Sequence, residues 1–282
     1  MNTRLSAVAA AIALAAAQAG WTQAPAGPDG PHWNVDGGGK QCVLTRGADT
    51  PAGVTLAVRT YPWSGQIDLV LLGPKWPTGL HAEDAELTLK FSAPDDVLTH
   101  KARVMALQGS GQAILVNRLN MDFLNDLARA QKLDFAFKGA TLAALSLPLG
   151  GKAVQALRYC ERAKLVEWGA DQALMNPASQ PPEPAEDTSN WVNLREFHDF
   201  HALANYTFRF FSVARLTIAD DGKIEKCDTL DTVGERQVDN FVCGQLLAHA
   251  HYRAAHDKDG KAVRGVAVVP MDMTIESRLT VQ

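Results

Sequence analysis

Five of the eight histidines fall in two groups: His198 and His201 beside Asp199, and His249, His251 and His256. Imidazole nitrogens ligate zinc and copper, so the two groups would make a metal site if the fold brought them together. The competing reading puts His249 and His251 near a helix C-terminus, where the dipole favours a cation, and the others on the surface. A His-x-x-His spacing alone is a frequent chance match. We therefore expect no metal, no cofactor and no catalytic residue, and keep a histidine-based metal protein or enzyme as an alternative.

Other chemistry is weaker still. Ser110 lies between two glycines but lacks the Gly-x-Ser-x-Gly spacing of a nucleophile elbow. Neither a Gly-x-Gly-x-x-Gly run nor a P-loop lysine occurs. The acid pairs Asp95-Asp96 and Asp220-Asp221 sit in turn-like contexts, where carboxylates accept from nearby backbone donors. No motif sets a nucleophile beside a base, so the chain is not expected to be an enzyme.

The elements around the second histidine group are the most legible. Residues 213–218 and 223–227 are β-prone, and the Asp-Asp-Gly between them, ending at Gly222, supplies the positive φ of a tight hairpin. Val238, Phe241, Val242, Cys243, Leu246, Leu247 and Ala250 recur at helical spacing, with Asp239 in the first turn, where the dipole favours an anion. Gly260 then turns the chain into a largely apolar strand over 264–273. A ββαβ unit of about 65 residues has a marginal core of its own. A helix packed on the hairpin brings Cys243 within bonding range of Cys227, and a bridge there would hold the unit together.

The order DGKIEKC, TVG, VDNFVC, HYRAA, HDKDGKAV resembles the C-terminal domain of TonB-type energy transducers, particularly the cysteine-containing variety. Gly222, Cys227, Gly234, Asp239, Cys243, Tyr252, Ala255, Gly260 and Val263 fall on the positions of that pattern. Ala254 and Ala262 stand where the family commonly has proline, and the segment 197–202 replaces a Tyr-Pro-x-x-Ala stretch. The likeness covers about the last quarter of the chain. It implies that an edge strand accepts an extended peptide, such as a segment of an outer-membrane receptor.

The chain begins with one cation, Arg4, an unbroken apolar run over 7–17 and Ala-Gln-Ala at 17–19. This pattern predicts a signal peptide, residues 1–19, cleaved after Ala19. The apolar run is shorter than the roughly 20 residues that span a bilayer. Export to the periplasm follows, with no membrane span in the mature chain. Four cysteines in an oxidising compartment suggest two bridges, and their positions favour Cys42 with Cys160 and Cys227 with Cys243. The mildly acidic net charge of −4 and the lack of basic tracts exclude nucleic acid as a partner.

Residues 20–40 read as a loose leader rich in Pro, Gly and Ala that first becomes structured near Trp33 or Val35. From 41 to 166, short β-prone runs at 42–45, 54–59, 66–72, 86–91, 103–107, 113–119, 133–137 and 142–147, with helices over 120–131 and 152–164, predict a β-rich domain. Residues 167–190, with their Gln-Pro-Pro-Glu-Pro tract, read as a stiffened, solvated linker. Residues 191–282 form the TonB-like domain. Tyr206, Phe208, Phe210 and Phe211 suit a strand leading into the hairpin.

The expected fold is thus α+β: a β-rich N-terminal domain with two helices, a linker and a small ββαβ domain. The expected function is a periplasmic TonB-like protein that binds an extended peptide or receptor segment by strand addition at Val266 and Val268, with Tyr252 and Arg253 beside them. A membrane-anchored energy transducer is the alternative within this class. Homodimerisation through the same edge is also expected.

Overall fold

The computed structural model describes residues 32–48, 53–73, 76, 85–92, 96–106, 112–137, 139–193, 196, 208–231 and 236–275. Residues 1–19, Asp95, Ser110, His198, Asp199, His201, Tyr206 and Gly234 lie outside these, as do the side chains of Phe208, Phe210 and Phe211.

The fold is α+β and rich in strands. The first unit comprises β1 (Trp33–Asp36), β2 (Cys42–Arg46), β3 (Thr55–Thr60), β4 (Ile67–Gly73), β5 (Ala85–Ser92), β6 (Val97–Ala106), β7 (Gln112–Leu119), α1 (Asp122–Arg129), β8 (Lys132–Phe137), β9 (Ala140–Ser146) and α2 (Gly150–Glu167). Its antiparallel sheet runs β1-β2-β3-β4-β7-β6-β5-β8-β9. Alternate residues of the strands, such as Leu44, Leu56, Val58, Leu69, Ile114 and Phe135, enter one core with Phe91 and Phe123. β6 pairs with β5 over 97–102 and with β7 over 103–106.

The sheet bends so far that its two ends meet. Arg46, wholly buried at the end of β2, donates from Nε to the Ser146 carbonyl of β9 at 3.1 Å. Trp33 Nε1 donates to the Pro148 carbonyl just beyond β9. The disulfide Cys42–Cys160 ties β2 to α2. Order begins at residues 33–36, near the point expected within the leader, because the Trp33 indole and a register with β2 fix them.

The second unit contains β10 (Glu183–Pro184), β11 (Phe208–Ile218), β12 (Ile224–Asp231), α3 (Arg236–His249), β13 (Tyr252–Arg253), β14 (Ala255–His256), β15 (Ala262–Val263) and β16 (Gly265–Ile275). The sheet order is β12-β11-β16. Val238, Val242 and Leu246 of α3, with Ala250 just beyond its end, pack on Ala214, Leu216, Ile218 and Ala267. The hairpin turns at Gly222, whose φ of 87° suits glycine. A Cβ there would also meet the Tyr252 carbonyl at 2.5 Å. Cys227 and Cys243 are bonded, their Cα atoms 5.5 Å apart.

Residues 167–190 are not a solvated spacer throughout. Leu174 is wholly buried, the Asp171 amide donates to the Arg264 carbonyl at 2.9 Å, and Glu183–Pro184 pairs with Tyr252–Arg253. A proline- and acid-rich segment lacks an apolar period, yet its extended backbone still offers donors and acceptors to a neighbouring strand.

One face of the C-terminal sheet packs on α3 and the other on the first unit. Val213 and Val268 cluster with Tyr61 and Leu230, while Val266 packs with Leu165, Leu174 and the edges of Trp63 and Trp168. The Arg215 guanidinium lies 5.3 Å over the Trp168 ring and pairs with Asp228 at 2.6 Å. Lys40 Nζ donates to the Leu230 carbonyl. No helix among the described residues is long and apolar enough to cross a membrane.

Candidate functional site

β16 pairs with β11 in unbroken register from Gly265 opposite Ile218 to Ile275 opposite Phe208. Among the described residues no second strand lies on its other side. Pro270, opposite Val213, sets the polarity of that edge. Proline has no N–H to give a ladder, so inside a paired strand its nitrogen faces away from the neighbour. In an antiparallel strand the N–H and C=O of one residue point the same way, and the direction alternates. Val266, Val268, Asp272 and Thr274 share the parity of Pro270 and turn their backbone groups outward.

The four residues expected to bind a partner are placed differently from one another. The side chains of Val266 and Val268 are buried against the first unit, so a segment at this edge would meet their backbone and not their methyl groups. Val269, Pro270 and Met271 are half-buried. Tyr252 is buried, its ring centroid 5.2 Å from that of Trp191, and burial pushes its hydroxyl well above the ordinary phenol range. Arg253 is exposed and pairs with Glu183 at 3.0 Å.

The turn residues keep their local roles. Gly260, with φ of 81°, closes a turn in which the Asp257 carboxylate accepts from the amides of Asp259 and Lys261, both at 2.9 Å. Donation from the Lys261 amide, more than any other contact, holds the Asp257 carboxyl below its ordinary range. Asp239 stands in the first turn of α3.

His249 ends α3, His251 Nε2 lies 3.9 Å from Glu186 Oε1, and the His256 backbone pairs with Gln180. No group of three His, Cys, Asp or Glu side chains among the described residues could hold a metal ion.

Sequence reasoning missed the residues that most shape this region: Gln180, Pro182, Glu183, Trp168, Trp191 and Arg215. Trp168 does carry a signal, since it continues the 161, 164, 165 spacing of buried α2 positions by one more turn. Gln180, Pro182 and Glu183 carry none, because they are held by backbone pairing and by the shape of a glycine.

Comparison of the chain with protein-family models, with curated proteins and with solved structures returns no match.

Proposed function

We propose that this is an exported, periplasmic binding module that takes up an extended segment of another protein, such as the exposed part of an outer-membrane receptor, as an added strand on β16. The one-sided pairing of β16 carries this reading. An unpaired edge offers a row of backbone donors and acceptors, and each bond made there contributes about 1 kcal/mol net. The two disulfides suit an oxidising compartment. Pro270 adds selectivity, because a guest must leave one acceptor unmatched opposite its ring nitrogen.

The test follows from parity. Val268→Pro removes an outward amide and leaves the ladder to β11 intact, whereas Val269→Pro removes an amide that bonds Ala214. Binding of receptor-derived extended peptides, read by fluorescence polarisation, should fall at least tenfold in Val268→Pro while its circular dichroism stays native. Unchanged affinity in a folded Val268→Pro protein removes the β16 edge as the site.

A further inference from the structure

Residues 170–191 run as a strap from the end of α2 across the second unit. Leu174 and Trp191 are buried at its two ends, and Pro182 is the only buried residue between them. We propose that the central part of this strap is a ligand bound in cis: its seat along residues 251–256 is a groove for an extended, proline-containing acidic segment, and the strap must lift before another chain can be read there. The proposal rests on the strand-addition reading, since Tyr252 and Arg253 belong to that site, and it adds the chemistry and the control of the guest.

The groove reads three things. Its backbone supplies a ladder, in which the Gln180 amide donates to the His256 carbonyl at 2.8 Å, the His256 amide donates back at 3.1 Å, and the Ala185 amide donates to the His251 carbonyl at 2.9 Å. Its floor accepts a proline ring. A Cβ on Gly265 would come within 2.7 Å of Pro182 Cγ and 2.9 Å of the Ala255 Cβ, so the floor needs glycine at 265 to seat the ring. Its rim selects charge, with Arg253 on Glu183 at 3.0 Å and His251 facing Glu186. The order Gln-x-Pro-Glu-Pro is thus matched by pairing, by shape and by charge.

The same features make the strap able to leave. The Arg253–Glu183 pair joins side chains more than half exposed, where such a pair contributes about 0.2–1 kcal/mol, and His251 and Glu186 are more than half exposed as well. Lifting residues 178–187 uncovers one proline and a short ladder, while Leu174, Trp191 and the sheet on α3 stay in place. Local openings of that kind occur without global unfolding. The covalent connection at both ends keeps the effective concentration of the strap high, so an incoming segment has to outcompete it.

The experiment uses the full chain and a fluorescent peptide of residues 178–187. With Pro182→Gly and Glu183→Arg together weakening the strap, the protein should bind this peptide at least tenfold tighter than the unaltered chain does. Adding Arg253→Glu should cancel that gain, because it repels Glu183 of the peptide and restores an ion pair to the altered strap. Equal binding by the weakened and unaltered proteins, both native by circular dichroism, overturns the proposal.

Hydrogen exchange on the unaltered chain supplies a readout independent of any variant. The Gln180, Ala185 and His256 amides should exchange through an opening at least tenfold more frequent than the one that exposes Ala214 and Leu216, and equal protection overturns it. Loss of receptor-peptide binding in Val268→Pro with no uptake of the strap peptide sinks the strap alone. Uptake of the strap peptide by a protein whose β16 edge binds nothing upholds the strap and removes only the β16 reading.

Discussion

The Tyr61 hydroxyl donates to the Asp231 carboxylate across 2.8 Å, joining residues 170 positions apart in the two units. Burial, and then the carboxylate itself, pushes the Tyr61 hydroxyl far above its ordinary range, so it remains a donor at any working pH. Tyr61 also packs with Val213, Leu230 and Val268, which makes the contact part of the inter-unit core. Tyr61→Phe should cost about 1 kcal/mol through the lost bond. Tyr61→Ala should cost about 3–5 kcal/mol, because the ring goes too. Differential scanning calorimetry should show one transition for the unaltered chain and for Tyr61→Phe, and a separately melting second unit for Tyr61→Ala.

Gly222 and Gly260 both hold positive φ, but only Gly222 faces a neighbour. Gly260→Ala should cost about 1 kcal/mol, the ordinary penalty for a left-handed non-glycine residue. Gly222→Ala adds a clash with the Tyr252 carbonyl and should cost at least about 2 kcal/mol more, since backbone sits on both sides. Urea midpoints of the two variants, compared at equal slope, check the difference. Equal destabilisation would mean that the hairpin turn does not bear on β13.

The contrast between those glycines was half legible in the sequence. Asp-Asp-Gly marks a turn, and the spacing of Val238, Val242 and Leu246 marks a helix, because both signals are local. The contact from Gly222 to Tyr252 is not local and leaves no trace in composition. For the same reason the strands of the first unit could be read as strands, whereas the pairings of β4 with β7 and β5 with β8 could not. The first half of β6 was missed, since residues 97–101 mix Val and Leu with Thr, His and Lys. Arg46 shows the limit from the other side: its type argues for the surface, yet the Ser146 carbonyl and hydroxyl satisfy it in the core. The resemblance put Tyr252 and Arg253 next to the edge expected at 264–273, and nothing in the Pro-rich stretch announced that its own backbone pairs with them.

Of the two disulfides, Cys227–Cys243 should be reduced first under native conditions. Cys42 is wholly buried, and Gly37 covers Cys160 so closely that a Cβ there would reach its Sγ at 2.8 Å. Cys227 and Cys243 are both half-buried at the margin of a smaller core. Loss of the shorter loop, 16 residues apart, should cost about 3 kcal/mol; loss of the longer, 118 apart, nearly 5 kcal/mol. Brief treatment with a small thiol, alkylation and peptide mass mapping should find label on Cys227 and Cys243 before Cys42 and Cys160. Simultaneous labelling of all four would show that reduction waits for global unfolding.

Glu161 makes stability depend on pH in a direction opposite to the usual carboxylate. It is buried on α2, and burial pushes its carboxyl up to about 7, with the neighbouring Thr60 hydroxyl and the Arg158 and Arg162 guanidiniums opposing this only in part. An unfolded glutamate titrates near 4.3. Between those values the native chain holds a proton that the unfolded chain has released. Its contribution is therefore fully present below about pH 4 and is lost as pH rises toward and through 7. Glu161→Gln keeps the shape and a neutral group, so it should match the unaltered chain near pH 4 and exceed its stability at pH 8. The gain should be up to on the order of 3 kcal/mol. Urea unfolding of both proteins at pH 4, 6 and 8 checks this, and a difference that does not grow with pH would mean that Glu161 is ionised in the folded chain throughout.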